Sequence, residues 1–422
     1  MSLRGDHNEG GDRGMSMKGS RDRQVCSKAI PERMSGNEAV SYAIRQVNPD
    51  VMPAFPITPS TEIPQMVSTF IANGEIDTEF IPVESEHSAM SAAIGAEAAG
   101  ARTMTATSSA GLALMWEELL LAASNRLPIV LTLVNRTLSG PININCDHSD
   151  GMGARDTGWI QIYAENNQEA YDNYIQAFPI AEDPRVHLPV MICQDGFITS
   201  HAVENIELLE DEHVRSFVGE YRPEEFLLNP GKPVSVGPYA ISAYSMEAKR
   251  AQEAAMERAG EVILEVADRF HAMSGRSYGF FEEYRTKDAD YLMVIMGSAA
   301  GTAKAAVDEL REEGHKVGII KLRVFRPFPE KEIAEAIRRS GCKAVAIMDR
   351  CESYNGNSGP LGSEIPAGLF RNKVMVETVN YIYGLAGRDF TVDHVKSVFA
   401  ELGQVAQGRV PAPNHKYIGL RE

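Results

Sequence analysis

The fold is decided by a strand–helix–strand stretch, Thr103 to Arg136, that reads TMTATSSAGLALMWEELLLAASNRLPIVLTLVNR. Its two ends, Thr103–Thr107 and Ile129–Val134, are strand-like, and Leu112–Ser124 between them shows helical spacing. Near-continuous apolar strands that alternate with helices are typical of a parallel sheet covered on both faces. The stretch therefore predicts an α/β fold.

The same alternation continues outward on both sides of this stretch. On the amino-terminal side, elements are predicted at Asn37–Val47, Val51–Phe55, Thr61–Ala72, Glu79–Val83 and Glu86–Ala99. A helix is predicted at Ser245–His271, and a second α/β unit follows with strands at Tyr291–Met296, Val317–Val324, Ala344–Met348 and Val374–Val379. The sequence thus predicts two doubly wound parallel-sheet domains.

Composition shifts give the expected domain limits. Residues 1–34 are predicted to be a polar, disordered tail, because they carry few residues that could be buried. The first domain, with a linker at its end, is placed at 35–240 and the second at 241–405. Residues 406–422 are predicted to be a carboxy-terminal tail.

Charge and cysteine usage exclude several classes of protein. A net charge of −17 over 422 residues argues against a nucleic-acid partner. The apolar runs are far shorter than the roughly 20 residues that a membrane span needs, and no signal peptide is evident, so a cytoplasmic enzyme is expected. The 5 cysteines form no CxxC pair, so neither a disulfide framework nor a metal site is expected in this chain.

Five predicted strands end in short polar segments: Pro56–Ser60, Ser85–Ser88, Ser108–Gly111, Asn135–Thr137 and Asp195–Phe197. In an open α/β sheet, ligands bind beyond the carboxyl ends of the parallel strands. These segments would therefore bring a hydroxyl, a carboxylate, a guanidinium and small-residue turns to one edge. Such an edge is suited to a small anionic substrate beside a cofactor.

Each candidate side chain at this edge also has a structural interpretation. Glu86 could complement the dipole of the helix it begins, or it could bind a ring nitrogen of a cofactor. Thr58 lies between two prolines, so it could serve only a rigid turn or could present its hydroxyl to a carboxylate. Arg136 needs an anion, either Asp147 or Asp150 of this chain or a substrate carboxylate.

Other motifs are less specific. Gly297–Gly301 joins a strand to a helix, but it lacks the G-x-G-x-x-G spacing, so a tight turn is favoured over dinucleotide binding. His87, His148 and His201 show no metal-ligand spacing, which favours capping or packing roles.

Four strings, in this order, resemble the α subunit of 2-oxoacid:ferredoxin oxidoreductases, with the pyruvate branch nearest: Gly36–Val40, Phe55–Glu62, Glu84–Ala96 and Thr105–Leu112. Further matches are found at Asp195–His201 and in the run from Asp349 to Gly362. The resemblance implies a thiamine diphosphate enzyme that converts a 2-oxoacid and coenzyme A to acyl-CoA and CO2, with electrons passing to ferredoxin. It also implies a pyrimidine-binding-type domain followed by a domain similar to the carboxy-terminal domain of transketolases.

The resemblance also implies roles for individual residues. Glu86 matches the carboxylate that bonds the pyrimidine ring, where it favours the imino tautomer that can accept a proton. Thr58 and Arg136 match substrate-binding residues, and Ser109 and Gly111, like Glu86, are expected to bind the cofactor. No metal ligand is expected in this chain.

What the chain lacks implies partner subunits. It has neither a Gly-Asp-Gly clamp for Mg²⁺ and diphosphate nor a cysteine cluster for iron–sulfur centres. The family resemblance therefore implies a β subunit that shares the cofactor and holds Mg²⁺ and a cluster, with γ and δ subunits for coenzyme A and electron transfer.

Alternatives remain open at this point. Ala110 and Phe55 stand where relatives often carry Gln and Tyr, which suits a larger or more apolar acyl group, so a branched-chain or aromatic 2-oxoacid is one alternative. A thiamine transferase subunit without redox function is another. A catalytically silent scaffold subunit is the third.

Overall fold

The computed structural model describes residues 28–354, 356–410, 413 and 415–421. The strands in this part are β1 (Ile30–Met34), β2 (Val51–Ala54), β3 (Glu79–Pro82), β4 (Met104–Thr107), β5 (Val130–Asn135), β6 (Ile160–Tyr163), β7 (Val190–Asp195), β8 (Glu204–Leu208), β9 (Phe281–Tyr284), β10 (Tyr291–Met296), β11 (Val317–Leu322), β12 (Val324–Arg326), β13 (Ala344–Asp349), β14 (Glu377–Ile382) and β15 (His415–Tyr417). The helices are α1 (Gly36–Val47), α2 (Glu62–Ala72), α3 (Glu86–Ala98), α4 (Ser109–Leu114), α5 (Trp116–Ser124), α6 (Ser149–Gly153), α7 (Asn167–Ala181), α8 (Asp211–Val218), α9 (Ser242–Ser274), α10 (Ala299–Glu312), α11 (Glu330–Ser340), α12 (Pro360–Arg371) and α13 (Val392–Ala406).

The first sheet follows the alternation that the sequence predicts. β4, β5, β7 and β6 lie side by side in that order and are parallel. The parallel pair β2–β3 continues the sheet through a bridge between Val51 and Thr103. Every residue of β5 and β7 is buried, as expected for central strands covered on both faces.

The second sheet has the order β15-β14-β13-β10-β11-β9. All its neighbouring strands are parallel except β9, which pairs antiparallel with β11 at the edge. The predicted α/β class with two doubly wound sheets is therefore confirmed, with one antiparallel strand added to each sheet.

The alternation of side chains along β5 shows how the layers are built. Val130 and Val134 point into an apolar core shared with α1, α7 and α9. Leu131 and Leu133 point to the opposite face, into a second core with α3 and α5 that also contains Val294 of the second sheet. The two sheets thus share a middle layer, while α10 and α13 cover the outer face of the second sheet.

Both predicted tails contain a strand in the structure. Ile30–Met34 pairs antiparallel with β8, so the prediction of a disordered tail is wrong for this part of 1–34, whereas residues 1–27 lie outside the described residues. His415–Tyr417, inside the predicted tail 406–422, pairs with β14. Most side chains of these strands are exposed, so backbone hydrogen bonds rather than apolar patterning define them.

The long helix α9 packs with the first sheet, although its residues fall within the predicted second domain, 241–405. Its residues Ala259, Ile263 and Phe270 belong to the first apolar core. Charged residues recur along its other faces, and no helix in the described part of the chain is long and apolar enough to cross a membrane. The exact limits of the two domains stay a prediction.

The predicted strand Val317–Val324 is two strands in the structure. β11 lies in the second sheet, whereas β12 pairs antiparallel with β6 in the first sheet. The chain changes direction at Arg323, whose buried guanidinium donates to Asn173 Oδ1 of α7 at 2.8 Å. A three-residue strand carries too little periodicity to be seen in the sequence.

One buried carboxyl group makes stability depend on pH. Glu97, near the end of α3, accepts the N–H of Thr103 at 3.0 Å. Burial raises its pKa to about 8, assisted by the charge of Glu182. In the unfolded chain the same carboxyl titrates near 4.5. Unfolding therefore releases a proton between these two pH values, so stability falls as pH rises through this window.

We expect Glu97→Gln to remove this dependence. The amide oxygen can still accept from Thr103, and no proton is released on unfolding. The free energy of unfolding of the variant relative to the wild type should rise by up to about 1.4 kcal/mol per pH unit between pH 5 and 8. Chemical denaturation across that range measures the effect, with the exposed Glu253→Gln as the control. Parallel curves for wild type and Glu97→Gln would contradict the assignment.

Candidate active site

Glu86 lies at the start of α3, directly after β3. Ser85 caps the helix by accepting the N–H of Ser88 at 3.2 Å, which fixes Glu86 as the first helical residue. Glu86 is only 6% exposed although it is a carboxylate. A buried carboxylate at this position agrees with both interpretations of Glu86, as a partner for the helix dipole or for a ring nitrogen of a cofactor.

The surroundings of Glu86 argue for a ligand. A Cβ on Gly111 would lie 2.7 Å from Glu86 Oε1 and would also collide with the hydroxyl of Thr107. The glycine therefore allows the Glu86 carboxylate and the Thr107 hydroxyl to pack directly against its backbone. Thr107 Oγ1 and Ser108 Oγ are buried and have no hydrogen-bond partner among the described residues. Unsatisfied buried hydroxyls are costly, so these two suit a ligand that has hydrogen-bonding atoms of its own.

Ser109 serves the local fold. Its φ of +46° is unusual for a residue with a side chain. Its hydroxyl donates to the carbonyl oxygen of Thr137 at 2.6 Å, and its N–H donates to Asp150 at 3.0 Å. The structure thus places Gly111 against Glu86, whereas the hydroxyl of Ser109 is directed to the loop after β5. A cofactor-binding role for either residue stays a prediction.

Arg136, the residue after β5, is brought to Thr58. Its Nη1 donates to the carbonyl oxygen of Thr58 at 3.0 Å, and its Nε donates to that of Asn143 at 3.0 Å. The side chain is buried, yet no carboxylate of the described residues forms an ion pair with it. Thr58 itself is exposed. A buried guanidinium with uncompensated charge is suited to an anionic ligand.

The structural interpretation of Arg136, in which its guanidinium pairs with Asp147 or Asp150, is wrong. Asp150 accepts the backbone N–H of Arg136 at 2.9 Å rather than its guanidinium. Asp147 instead accepts from Ser149 and from the N–H of Ala386.

Asp150 links two of the strand ends. Besides Arg136, its carboxylate accepts the N–H of Ser109 at 3.0 Å and Nδ2 of Asn135 at 2.8 Å. Burial raises the pKa of this carboxyl to about 6, although these hydrogen bonds act in the opposite direction. The Asp150 side chain therefore sets the spacing between Ser109, at the start of α4, and the strand end that carries Arg136. The sequence gives no signal for this role, because most of its donors are backbone groups.

The fifth polar segment connects the two domains. Asp195, at the end of β7, lies 2.7 Å from Nε2 of His148 and 2.8 Å from Nη1 of Arg350. Its Oδ2 also accepts the N–H of Ser298 at 3.0 Å. Burial acts to raise the pKa of Asp195, but His148 and Arg350 outweigh it and hold the pKa well below its usual range. Sequence reasoning missed this cluster.

The hydrogen bond between Ser298 and Asp195 also decides between the two interpretations of Gly297–Gly301, a tight turn or a dinucleotide site. The N–H of Ser298, next to the start of α10, is where a bound phosphate could be held. Asp195 takes that place, and a Cβ on Gly297 would lie 3.0 Å from its Oδ2. The motif is a tight turn, as favoured above.

Within the described part of the chain, two groups of side chains lie close enough to hold a metal ion: Cys146, His148 and Asp195, and Glu165, Glu169 and Glu282. Protein cations already face both groups. Arg350 pairs with Asp195, while Lys304 and Lys321 pair with the glutamates. These are ion-pair clusters between the domains, the first buried and the second partly buried. That this chain holds no metal stays a prediction.

Comparison with protein families gives two matches. The thiamine diphosphate-binding family of pyruvate flavodoxin/ferredoxin oxidoreductases matches residues 42–268. Core domain II of pyruvate:ferredoxin oxidoreductase matches residues 289–395.

Individual relatives agree with these families. The chain is 50% identical over 389 residues to pyruvate synthase subunit PorA of Thermotoga maritima, covering 92% of this chain and 98% of that one. It is 43% identical to ketoisovalerate oxidoreductase subunit VorA of Pyrococcus abyssi, covering 90% and 95%. Among solved structures, 2-oxoglutarate:ferredoxin oxidoreductase of Magnetococcus marinus superposes with a TM-score of 0.67 at 21% identity, covering 89% of this chain and 66% of that one. This last likeness supports the fold.

We expect Asp195→Asn to destabilise the protein by about 3–5 kcal/mol, because it leaves the buried charge of Arg350 uncompensated. Chemical denaturation measures the loss. The control is Asp288→Asn, which breaks an exposed pair with Arg311 at 2.7 Å and should change stability by no more than about 1 kcal/mol. Equal losses in the two variants would show that the buried cluster does not hold the domains together.

Proposed function

The chain belongs to the 2-oxoacid:ferredoxin oxidoreductase family, and we propose that its sheet edge holds the reacting end of thiamine diphosphate together with the 2-oxoacid. The observation that carries this proposal is the buried carboxylate of Glu86, which lies with the Thr107 hydroxyl against Gly111, near the unsatisfied hydroxyls of Thr107 and Ser108. An aminopyrimidine ring offers nitrogen donors and acceptors that match such groups.

When bound, thiamine diphosphate supplies the electron sink that decarboxylation of a 2-oxoacid requires. Glu86 holds a ring nitrogen through its carboxylate and thereby stabilises a proton at that atom. Its burial strengthens this hydrogen bond, because water does not compete for the carboxylate. Glu86 is therefore the proposed catalytic residue of this chain.

Arg136 and Thr58 orient the substrate. The guanidinium pairs with the substrate carboxylate, which compensates the buried positive charge. The carbonyls of Thr58 and Asn143 fix the guanidinium before the substrate arrives, so little side-chain freedom is lost on binding. The exposed position of Thr58 leaves it available to the substrate.

The reaction proposed is oxidative decarboxylation of pyruvate with coenzyme A to acetyl-CoA and CO2, with the electrons passed to ferredoxin. The 50% identity to a pyruvate synthase subunit favours pyruvate. The 43% identity to a ketoisovalerate oxidoreductase subunit supports a branched-chain 2-oxoacid as the second candidate. We place the enzyme in the cytoplasm.

The chain acts as one subunit of a larger enzyme. Several apolar side chains close to the site residues in sequence are exposed, and we call this set the rim: Leu114, Trp116, Leu121, Leu138, Ile142 and Ile144. Exposed apolar patches of this kind mark protein interfaces. We propose that a β subunit covers this rim and supplies Mg²⁺, the diphosphate site and an iron–sulfur cluster, and that γ and δ subunits serve coenzyme A and electron transfer.

The assembled complex, purified through this chain, tests the proposal. Iron and thiamine are quantified, and pyruvate and ketoisovalerate are assayed with coenzyme A and a viologen dye. Coenzyme A-dependent dye reduction by an iron-containing complex supports the proposed reaction, and the preferred acid identifies the substrate. Turnover without dye reduction would point to the non-redox transferase instead.

We expect Glu86→Gln to lower kcat of the assembled complex at least a hundredfold, because an amide cannot stabilise the ring proton as a carboxylate does. The control is Glu84→Gln, an exposed glutamate two residues earlier. Subunit composition and thiamine content should stay at the wild-type level in both variants. Near-normal turnover of Glu86→Gln would remove Glu86 from catalysis and favour a scaffold role.

We expect Arg136→Ala to raise KM for the 2-oxoacid at least tenfold, because the substrate carboxylate loses its buried partner. Steady-state kinetics over a range of pyruvate concentrations measures the change. The control is Arg126→Ala, just before the opposite end of the same strand, where the guanidinium also donates to a backbone carbonyl, that of His187. An unchanged KM in an intact complex would contradict the assignment.

A further inference from the structure

We propose that the second domain positions the substrate arginine, through a turn at Gly384–Arg388 that supports the loop on which Arg136 depends. This inference rests on the proposed function of Arg136. It assigns a role in substrate binding to Gly387 and Asn143, which are not among the residues assigned to the site above.

The loop after β5 returns to the strand end that carries Arg136. The carbonyl of Asn143 accepts Nε of Arg136 at 3.0 Å, and the carbonyl of Asn145 accepts the N–H of Thr137 at 3.0 Å. The position of the guanidinium therefore depends on where residues 143–145 are held.

The second domain holds these residues. Nδ2 of Asn143 donates to the carbonyl oxygen of Ala386 at 3.2 Å. The N–H of Gly387 donates to the carbonyl of Cys146 at 2.8 Å, and the N–H of Ala386 donates to Oδ2 of Asp147 at 3.0 Å. Three hydrogen bonds that involve Ala386 or Gly387 thus fix the loop to the turn.

Close packing adds to these bonds. Gly387 has a φ of +79°, and a Cβ at this position would collide with the Cβ of Asn145. Backbone and side chain are in direct contact here, so even a methyl group requires that the loop or the turn move.

The turn itself is fixed to the cluster around Asp195. Arg350 donates from Nε to the carbonyl of Gly384 at 3.2 Å, and its own carbonyl accepts the N–H of His148 at 2.8 Å. Arg350 therefore contacts both the turn and the far end of the supported loop. The support is continuous from the domain interface to the residues that hold Arg136.

The test uses Gly387→Ala in the assembled complex. The added methyl displaces residues 143–145, so KM for pyruvate should rise about fivefold or more while kcat and thiamine content stay within about twofold of wild type. The matched control is Gly341→Ala. Gly341 also has a positive φ, +67°, but a Cβ there meets nothing within 4 Å. It reproduces the backbone strain without the collision, and its KM should stay at the wild-type value.

Two further variants separate the possible outcomes. In the background of Arg136→Ala, Gly387→Ala should raise KM no further, because the group it displaces is already gone. Asn143→Asp keeps the backbone carbonyl that Arg136 uses but removes the donor to Ala386, so it should raise KM even if Gly387→Ala fails to assemble.

Each result has a distinct meaning. If Arg136→Ala itself leaves KM unchanged, the proposed role of Arg136 fails and this inference fails with it. If Arg136→Ala raises KM while Gly387→Ala matches Gly341→Ala and Asn143→Asp matches wild type, the substrate role stands and the support by the second domain is overturned. If the double variant raises KM by the product of the two single-variant increases, the support by the second domain is likewise overturned.

Discussion

The architecture depends on one buried carboxylate, Asp195. It lies at the end of a central strand of the first sheet, where desolvation alone would make an ionised carboxyl costly. It is surrounded and kept ionised by Arg350 and Ser298 of the second domain and by His148 of the loop after β5. The charge is stable only where these elements meet, so this carboxylate, together with the apolar layer that the two sheets share, fixes the second domain and the loop relative to the first sheet.

The residues of the candidate site depend on the arrangement that the contacts of Asp195 stabilise. Glu86 packs against Gly111 of α4, and the start of α4 is tied to the end of β5 by Asp150. Arg136 depends in turn on a loop that the second domain contacts. Rigid strands therefore carry the charged groups, while loops held from both domains set their positions. This arrangement suits chemistry in which a cofactor and a small acid must meet in a fixed geometry.

The sequence predicts the repeating parts of this structure and misses the single contacts. The alternation of apolar runs and helices is periodic, so the two sheets and the strand ends with Glu86, Thr58 and Arg136 could be located in advance. Asp195 and Arg350 are 155 residues apart, and nothing local in the sequence relates them. The alternative pairing of Arg136 with Asp150 had the right residues near each other, but the acceptor serves backbone N–H groups, which every residue has.

The short strand β12 has a consequence for how the chain can fold. It brings residues 324–326 to the edge of a sheet whose other strands all precede residue 196. During synthesis, the first sheet stays open at this edge until most of the polypeptide has left the ribosome, so its completion requires contacts of very long sequence separation. A cut between the two halves would therefore not yield two complete units. The amino-terminal fragment would expose β6 as an unpaired edge, a template for association with other chains.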